Sequence, residues 1–386
     1  MRVNLSRRAR WAVPGVAVVA IAGVIVGLQI PSAQASPALP ARTPAQLLAE
    51  ISGDAQVPPL TGTVVETSSL GLPQLPQAGN PTSITSLITG SHTVKVYYQD
   101  ASHFRLAVPQ PESETDIIGD GTKTWLWDSE SNSVTEFVAP AGKGTHPKEM
   151  LPRLPALTPQ QAANQVLKTV GKTTLVSVQS NVMIAGEPAY QLVLAPKDHR
   201  SLVGKVQIAI DAKYGMPLRV EVFAKGATSP AFQVGYTALQ FTAPAPANFD
   251  FTPPPTASVQ VVNLGSDGKH ATGTGQQQDT SGFGTYGKSW LTVAELPQTD
   301  LMQGLGTGPA ASGTTSPTTS GPAGVMGGDT QEVLNALIGS AKPVHGAWGS
   351  GTLLTTSLFS VLMTGGEVYI GAVEPSVLYA AVGHAS

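Results

Sequence analysis

The strongest constraint on the fold is a long series of short segments in which apolar residues alternate with polar ones. This alternation recurs in about ten or eleven segments between Thr61 and Tyr236. A period of two is typical of half-buried strands, and the close succession of the segments favours antiparallel neighbours. The sequence therefore predicts one large, curved antiparallel sheet. Clear examples are Val94-Val96-Tyr98, Phe104-Leu106-Val108, Val206-Ile208-Ile210 and Leu218-Val220-Val222.

Two helices are predicted to cover this sheet. Thr43-Pro44-Ala45-Gln46 and Thr158-Pro159-Gln160-Gln161 each combine a Thr N-cap, a Pro at the first helical position and a Gln that completes a capping box. An apolar stripe follows each signal, and the second helix is expected to end at Gly171. We expect both stripes to lie on the apolar face of the sheet. The period alone leaves open whether that face is a filled core or a ligand cavity.

The C-terminal third has a different composition. We predict a flexible linker at 257–288, because it is rich in Gly, Gln, Ser and Thr, and a small α+β domain at 289–386 with a low-complexity insert at 304–328. In this domain, a helix is capped by Asp329 with Glu332 at its third position. Strands are predicted near 290–296, 352–356, 358–363 and 367–373.

The N-terminus has the order of an export signal. A basic region with Arg2, Arg7, Arg8 and Arg10 precedes an uncharged stretch at 11–28 and the small-residue pattern Ala33-Gln34-Ala35. We predict that residues 1–35 are a signal peptide cleaved before Ser36. The alternative is an uncleaved N-terminal membrane anchor, because the apolar stretch is near the length of a bilayer span. Both place the remainder outside the cytoplasm, in the periplasm or at the cell surface.

Several kinds of chemistry are not indicated. The chain has no Cys, and its 22 basic and 25 acidic residues give a net charge of −3, which does not favour nucleic-acid binding. Its seven His residues lack metal-ligand spacing, and no nucleophile elbow or phosphate-binding loop is present. We read the acidic residues between Glu112 and Asp128 as solvated turn and strand-edge groups. The sequence thus predicts a non-catalytic protein without a cofactor or metal.

Four motifs, in order, carry a resemblance to a known family. They are Asp120-Gly121-Thr122-Lys123-Thr124-Trp125, Gln191-Leu192-Val193-Leu194-Ala195-Pro196-Lys197, the hairpin from Val206 to Val222, and Phe249-Asp250-Phe251-Thr252-Pro253-Pro254. Over residues 43–256 the chain resembles LolA, the bacterial lipoprotein carrier and lipid-binding family. The resemblance implies an unclosed antiparallel β-barrel of about 11 strands with a helical lid. It also implies an apolar cavity that binds acyl chains of a lipid or lipoprotein.

Affinity for acyl chains must come from apolar area, at about 25 cal/mol/Å². The inward residues that we expect to line the cavity are Phe104, Leu106, Trp125, Trp127, Leu192, Ile208 and Val220. The alternative for each of them, which is favoured for any single residue, is an ordinary core position. The family's Arg-Pro pair before the strand at Phe104 is absent, and Arg105 alternates with Phe104 and Leu106. We therefore expect Arg105 to point away from the cavity.

The added C-terminal domain separates this chain from the single-domain carriers. The two-domain layout is similar to that of the sigma-factor regulator family RseB (MucB), which implies a membrane-bound anti-sigma factor or receptor as the partner of residues 289–386. Three functions follow as hypotheses. The first is an exported lipid or lipoprotein carrier, the second is an envelope sensor that binds a membrane protein, and the third is a cell-envelope scaffold with a filled core.

Overall fold

A computed structural model describes residues 38–52, 57–71, 89–138, 158–167, 171–263, 284–299 and 339–385. The predicted signal peptide, the insert at 304–328 and the predicted helix after Asp329 lie outside these residues. The helices are α1 (Pro44–Ser52), α2 (Pro159–Leu167) and α3 (Pro375–Ala385). The strands are β1 (Leu60–Ser69), β2 (Thr89–Tyr98), β3 (His103–Pro109), β4 (Glu114–Asp120), β5 (Thr124–Asp128), β6 (Ser133–Val138), β7 (Thr174–Ile184), β8 (Glu187–Pro196), β9 (Val203–Asp211), β10 (Pro217–Ala224), β11 (Phe232–Gln240), β12 (Ser258–Asn263), β13 (Gly284–Tyr286), β14 (Val293–Pro297), β15 (Lys342–Gly346), β16 (Gly349–Thr355), β17 (Ser360–Thr364) and β18 (Glu367–Gly371).

The alternating segments form one sheet of 12 strands in the order β12-β6-β5-β4-β3-β2-β1-β11-β10-β9-β8-β7. Neighbours among β1 to β11 run antiparallel, as in the β1–β2 and β1–β11 pairs. The order begins at β12 and ends at β7, so the sheet is open and does not close into a barrel. Both the α+β class and the unclosed sheet agree with the sequence prediction.

Both predicted helix starts are present with their capping boxes. The Thr43 backbone N–H donates to Gln46 Oε1 at 2.8 Å, and the Thr158 backbone N–H donates to Gln161 Oε1 at 2.8 Å. Each Gln backbone N–H in turn donates to the Thr hydroxyl at 3.3 Å. These reciprocal bonds satisfy backbone donors that have no partner within a helix. We call the face of the large sheet that α1 and α2 cover the inner face, and the opposite face the outer face.

The connection from β11 to β12 crosses the outer face. The Phe249 ring lies edge-on to His103 at 6.0 Å between centroids, and the Phe251 ring lies 5.7 Å from Trp125. The chain then forms β12, which pairs parallel with β6. Residues 258–263, which we predicted as the start of a flexible linker, are therefore part of the large sheet. The reason is that Ser258–Asn263 supplies backbone partners for an edge that β6 would otherwise leave open.

A second sheet has six strands in the order β13-β14-β18-β17-β16-β15. Helix α3 packs on one face, where Leu378 and Ala381 contact the core formed with Val293, Leu362 and Tyr369. Strands β14, β16, β17 and β18 match the four predicted strands to within a few residues. The sequence analysis did not anticipate β13, β15 or α3, because these elements are short or lack a clear apolar period.

The two sheets meet through backbone hydrogen bonds. The Leu202 N–H donates to the Ala372 carbonyl at 2.9 Å, and the Glu374 N–H donates to the Arg200 carbonyl at 2.7 Å. Trp290, which is 9% exposed, donates its indole N–H to Thr174 Oγ1 at 2.8 Å. The smaller sheet therefore contacts the loop between β8 and β9 and the start of β7.

Candidate functional site on the inner face

Five of the seven predicted cavity residues lie together in the main apolar cluster. Leu192, Ile208 and Val220 are each 0% exposed, whereas Phe104 and Leu106 are 2% and 7% exposed. Leu192 is opposite Ile208 in the β8–β9 pair, and Ile208 is opposite Val220 in the β9–β10 pair. Because directly opposite residues in antiparallel strands share a face, these three side chains form one row across the inner face.

Helices α1 and α2 cover this surface with small and medium apolar side chains. Leu47 and Ile51 of α1 are 0% and 2% exposed, and Ala162 and Ala163 of α2 are 5% and 0% exposed. All four belong to the same cluster as Ile208. The inner face is therefore an apolar surface beneath two helices of nine residues each.

The inner face also carries a carboxyl group that the sequence analysis missed. Glu66 is 2% exposed and lies opposite Val234 in the β1–β11 pair and opposite His92 in the β1–β2 pair. It follows Val64 by two residues, so both side chains project from the same face of β1. Alternation along β1 predicts an inward position for Glu66, but its charge suggests an outward one.

Trp125 and Trp127 lie on the outer face, opposite to the other five predicted residues. Phe104 pairs with Gly119, and Ile118 pairs with Trp125, so the register places Trp125 on the face opposite to Phe104. Trp125 is 6% exposed and packs in a separate cluster with Ile118 and Val134, with Phe251 against it. The apolar character of the two tryptophans suggested an inward position, but on this face the crossover segment covers them.

The Asp120-Gly121 turn fixes this arrangement. Asp120 Oδ1 accepts the backbone N–H groups of Thr122 and Lys123 at 2.9 and 2.7 Å, and Oδ2 accepts the Trp125 indole N–H at 3.0 Å. Burial acts to raise the pKa of Asp120, but these hydrogen bonds outweigh it and lower the pKa. Gly121 has φ = 95°, which glycine adopts without strain. The family-like motif therefore orients Trp125 in the outer face.

Arg105 points to the outer face, as predicted from its alternation with Phe104 and Leu106. Its Nη2 donates to Glu114 Oε1 at 2.9 Å and to Asp116 Oδ2 at 2.6 Å. Asp116 is 2% exposed, and its Oδ1 has no hydrogen-bond partner among the described residues. Burial raises the pKa of Asp116 to about 7. The positive charge of Arg105 opposes this rise, whereas the negative charge of Glu114, which binds the same guanidinium group, adds to it.

Within the described part of the chain, no group of three or more His, Asp or Glu side chains is arranged to hold a metal ion. None of the helices in these same residues is long and apolar enough to cross a membrane.

Comparison with known proteins gives structural neighbours only. No family model matches the chain, and no curated protein matches it. The complex of MucA and MucB from Pseudomonas aeruginosa is similar with a TM-score of 0.38 and 14% identity, over 88% of this chain and 95% of that chain. A crystal structure of MucB has a TM-score of 0.35 and 12% identity, over 86% and 94% of the two chains.

A LolA superfamily protein from Nitrosomonas europaea is similar with a TM-score of 0.19 and 12% identity, over 55% of this chain and 99% of that chain. The structures similar to this one thus include a LolA superfamily protein and MucB. At TM-scores below 0.5 these likenesses carry no functional argument, so the functional proposals rest on the residues of this chain.

Proposed function

We propose that this is a non-catalytic, extracytoplasmic protein that holds acyl chains of a lipid or lipoprotein between the inner face and helices α1 and α2. One observation supports it: an open sheet of 12 strands carries a largely apolar inner face, with the buried carboxyl group of Glu66 on it, beneath the short helices α1 and α2. A ligand without hydrogen-bonding groups fits this surface, because Leu192, Ile208 and Val220 offer it only apolar contacts.

The energetics favour entry of a long chain. Displacing α1 would expose mainly Leu47 and Ile51 as large buried side chains, at a cost of about 3–6 kcal/mol. Burial of an acyl chain contributes about 0.8 kcal/mol for each CH₂ group, so a chain of roughly ten carbons already exceeds that cost. We therefore expect α1 to act as the part of the helical lid that a ligand of this length displaces.

The test compares two substitutions to Glu at positions of opposite exposure. Ile208→Glu places a carboxylate on the inner face, where Ile208 is 0% exposed. Leu175→Glu is the matched control, because Leu175 lies on the edge strand β7 and is 56% exposed. Gln207, although it alternates with Ile208, is unsuitable as the outward control because it is 7% exposed and donates to Gln179 Oε1 at 2.8 Å.

Titration with a fluorescent fatty acid, together with a thermal melt, separates the hypotheses. We expect Leu175→Glu to bind as the wild type does and Ile208→Glu to lose binding while remaining folded, because water can enter a ligand cavity beside the new carboxylate. If Ile208→Glu unfolds and the wild type binds no fatty acid, the inner face is a close-packed core. The scaffold hypothesis then replaces the carrier hypothesis.

The alternative function is binding of a membrane protein, such as an anti-sigma factor, through residues 289–386. One observation favours it: Ile370 is 36% exposed on the face of the small sheet away from α3. Its cross-strand neighbours on that face are Val361 and Ala294, which are also apolar. Ile370→Asp should weaken capture of such a partner in pull-downs from solubilised membranes while leaving fatty-acid binding intact.

A further inference from the structure

The outer face has a groove of about 560 Å³ where β2, β1 and β11 run side by side. It lies where the β1–β11 register shifts between Thr63 and Val64, so that Thr237 is an extra residue in β11. A bulge of this kind bends the strand and interrupts the ladder.

Two cross-strand rows line the floor of the groove. Tyr97, Thr61 and Gln240 are opposite one another on three neighbouring strands, and Lys95 is opposite Thr63 in the next row. Because Leu60 and Val64 point into the core at 1% and 0% exposure, Thr61 and Thr63 alternate with them and face outward. The full lining comprises the polar residues Thr61, Thr63, Lys95, Tyr97, Thr237 and Gln240 and the residues Gly62, Ala185, Ala238 and Leu239.

The polar side chains that line the groove make no ion pair or hydrogen bond with another side chain of the described residues. No ion pair in the described part of the chain involves Lys95, and none of the lining residues is acidic. Among the same residues, no side-chain hydrogen bond involves Thr61, Tyr97 or Gln240. The lining therefore offers one positive charge and several hydrogen-bond donors without a protein acceptor.

We propose that this groove binds an oxyanion, a phosphate or carboxylate group carried on a small polar molecule or on a lipid headgroup. Lys95 supplies the charge, and the hydroxyl groups of Tyr97 and Thr61 donate to the remaining oxygens. Leu239 and Ala185 of the lining also contact the inner-face cluster, but the side chains of Lys95, Tyr97 and Thr61 face outward, so the proposed contacts to the oxyanion do not depend on the binding of acyl chains.

The experiment measures binding to the full mature chain by calorimetry and by co-sedimentation. The soluble probes are inorganic phosphate, glycerol 3-phosphate and glucuronate, and the membrane probes are phosphatidylcholine vesicles with and without phosphatidylglycerol. The variants are Lys95→Gln and Tyr97→Phe. Lys205→Gln is the control, because it removes the same charge from β9, where Lys205 contacts the Phe223 ring at 4.3 Å.

We expect salt-sensitive binding of at least one probe and a loss of about tenfold or more in Lys95→Gln, with a smaller loss in Tyr97→Phe and none in Lys205→Gln. Binding of the soluble probes identifies a free oxyanion as the ligand, whereas binding only to phosphatidylglycerol vesicles identifies a headgroup. Absence of binding to every probe overturns the proposal, as does an equal loss in Lys95→Gln and Lys205→Gln, which would indicate non-specific attraction.

Discussion

Replacement of Asp116 by Asn should make the protein less sensitive to pH. Asp116 is 2% exposed, its Oδ2 shares one guanidinium nitrogen of Arg105 with Glu114, and its Oδ1 has no partner among the described residues. Burial therefore favours the protonated form and raises the pKa from 3.8 to about 7. Asn has nearly the same shape as the protonated side chain and cannot ionise.

The sign and size of the effect follow from the difference in pKa between the folded and unfolded states. Between about pH 4 and pH 7, the folded protein holds a proton at Asp116 that the unfolded chain has lost, so stability falls as pH rises. Each pH unit corresponds to about 1.4 kcal/mol, which gives up to about 4 kcal/mol over this range. Asp116→Asn should match the wild type near pH 4 and exceed its stability at pH 8.

Urea unfolding at pH 4, 6 and 8, followed by tryptophan fluorescence, measures this difference. Asp100→Asn is the control of opposite sign. Burial acts to raise the pKa of Asp100, but the hydrogen bonds from Ser102 and His103 together outweigh it and lower the pKa, so its contribution is lost only as pH falls below about 4. The reasoning is refuted if Asp116→Asn has the same pH dependence as the wild type, or if it is less stable at pH 8.

Four further predictions concern the packing, the contact between the two sheets and the N-terminus. Phe251→Ala removes the ring that packs on two tryptophans and should cost about 2 kcal/mol, with faster amide exchange in β12 as the readout. Trp290→Phe removes the hydrogen bond to Thr174 and should lower the free energy of unfolding by about 1 kcal/mol in urea. Cleavage by protease within 264–283 should leave two fragments that elute together in size-exclusion chromatography. N-terminal sequencing of exported protein should begin at or near Ser36, and an intact Met1 on membrane-bound protein would support the anchor instead.

Local signals predicted the large sheet well. The period of two and the Thr-Pro-x-Gln helix starts depend on neighbours in sequence. The described residues between Leu60 and Gln240 form eleven strands, and both capping boxes are formed. The parallel strand β12 could not be predicted in this way. Its position depends on a crossover that returns to β6, about 120 residues earlier in the chain, and its own sequence lies next to a polar tract.

The face on which a strand residue lies was predicted correctly where alternation decides it and wrongly where strand register decides it. Ile208 and Val220 lie in long alternating strands, and both are inward. Trp125 follows a turn, and the pairing of Gly119 with Thr124 sets its face. The bulge at Thr237 that forms the outer groove depends on the pairing of β1 with β11, which are distant in sequence. The sequence of a single strand predicts neither the face of Trp125 nor the bulge at Thr237.

Native mass spectrometry of the purified mature protein, followed by lipid extraction, tests most directly whether the inner face holds acyl chains. We expect a mass increment in the wild type and in Leu175→Glu that matches an extractable acyl lipid or lipoprotein, and its absence in folded Ile208→Glu. A wild-type protein at its sequence mass, with no extractable lipid and no uptake of added fatty acid, would contradict this function.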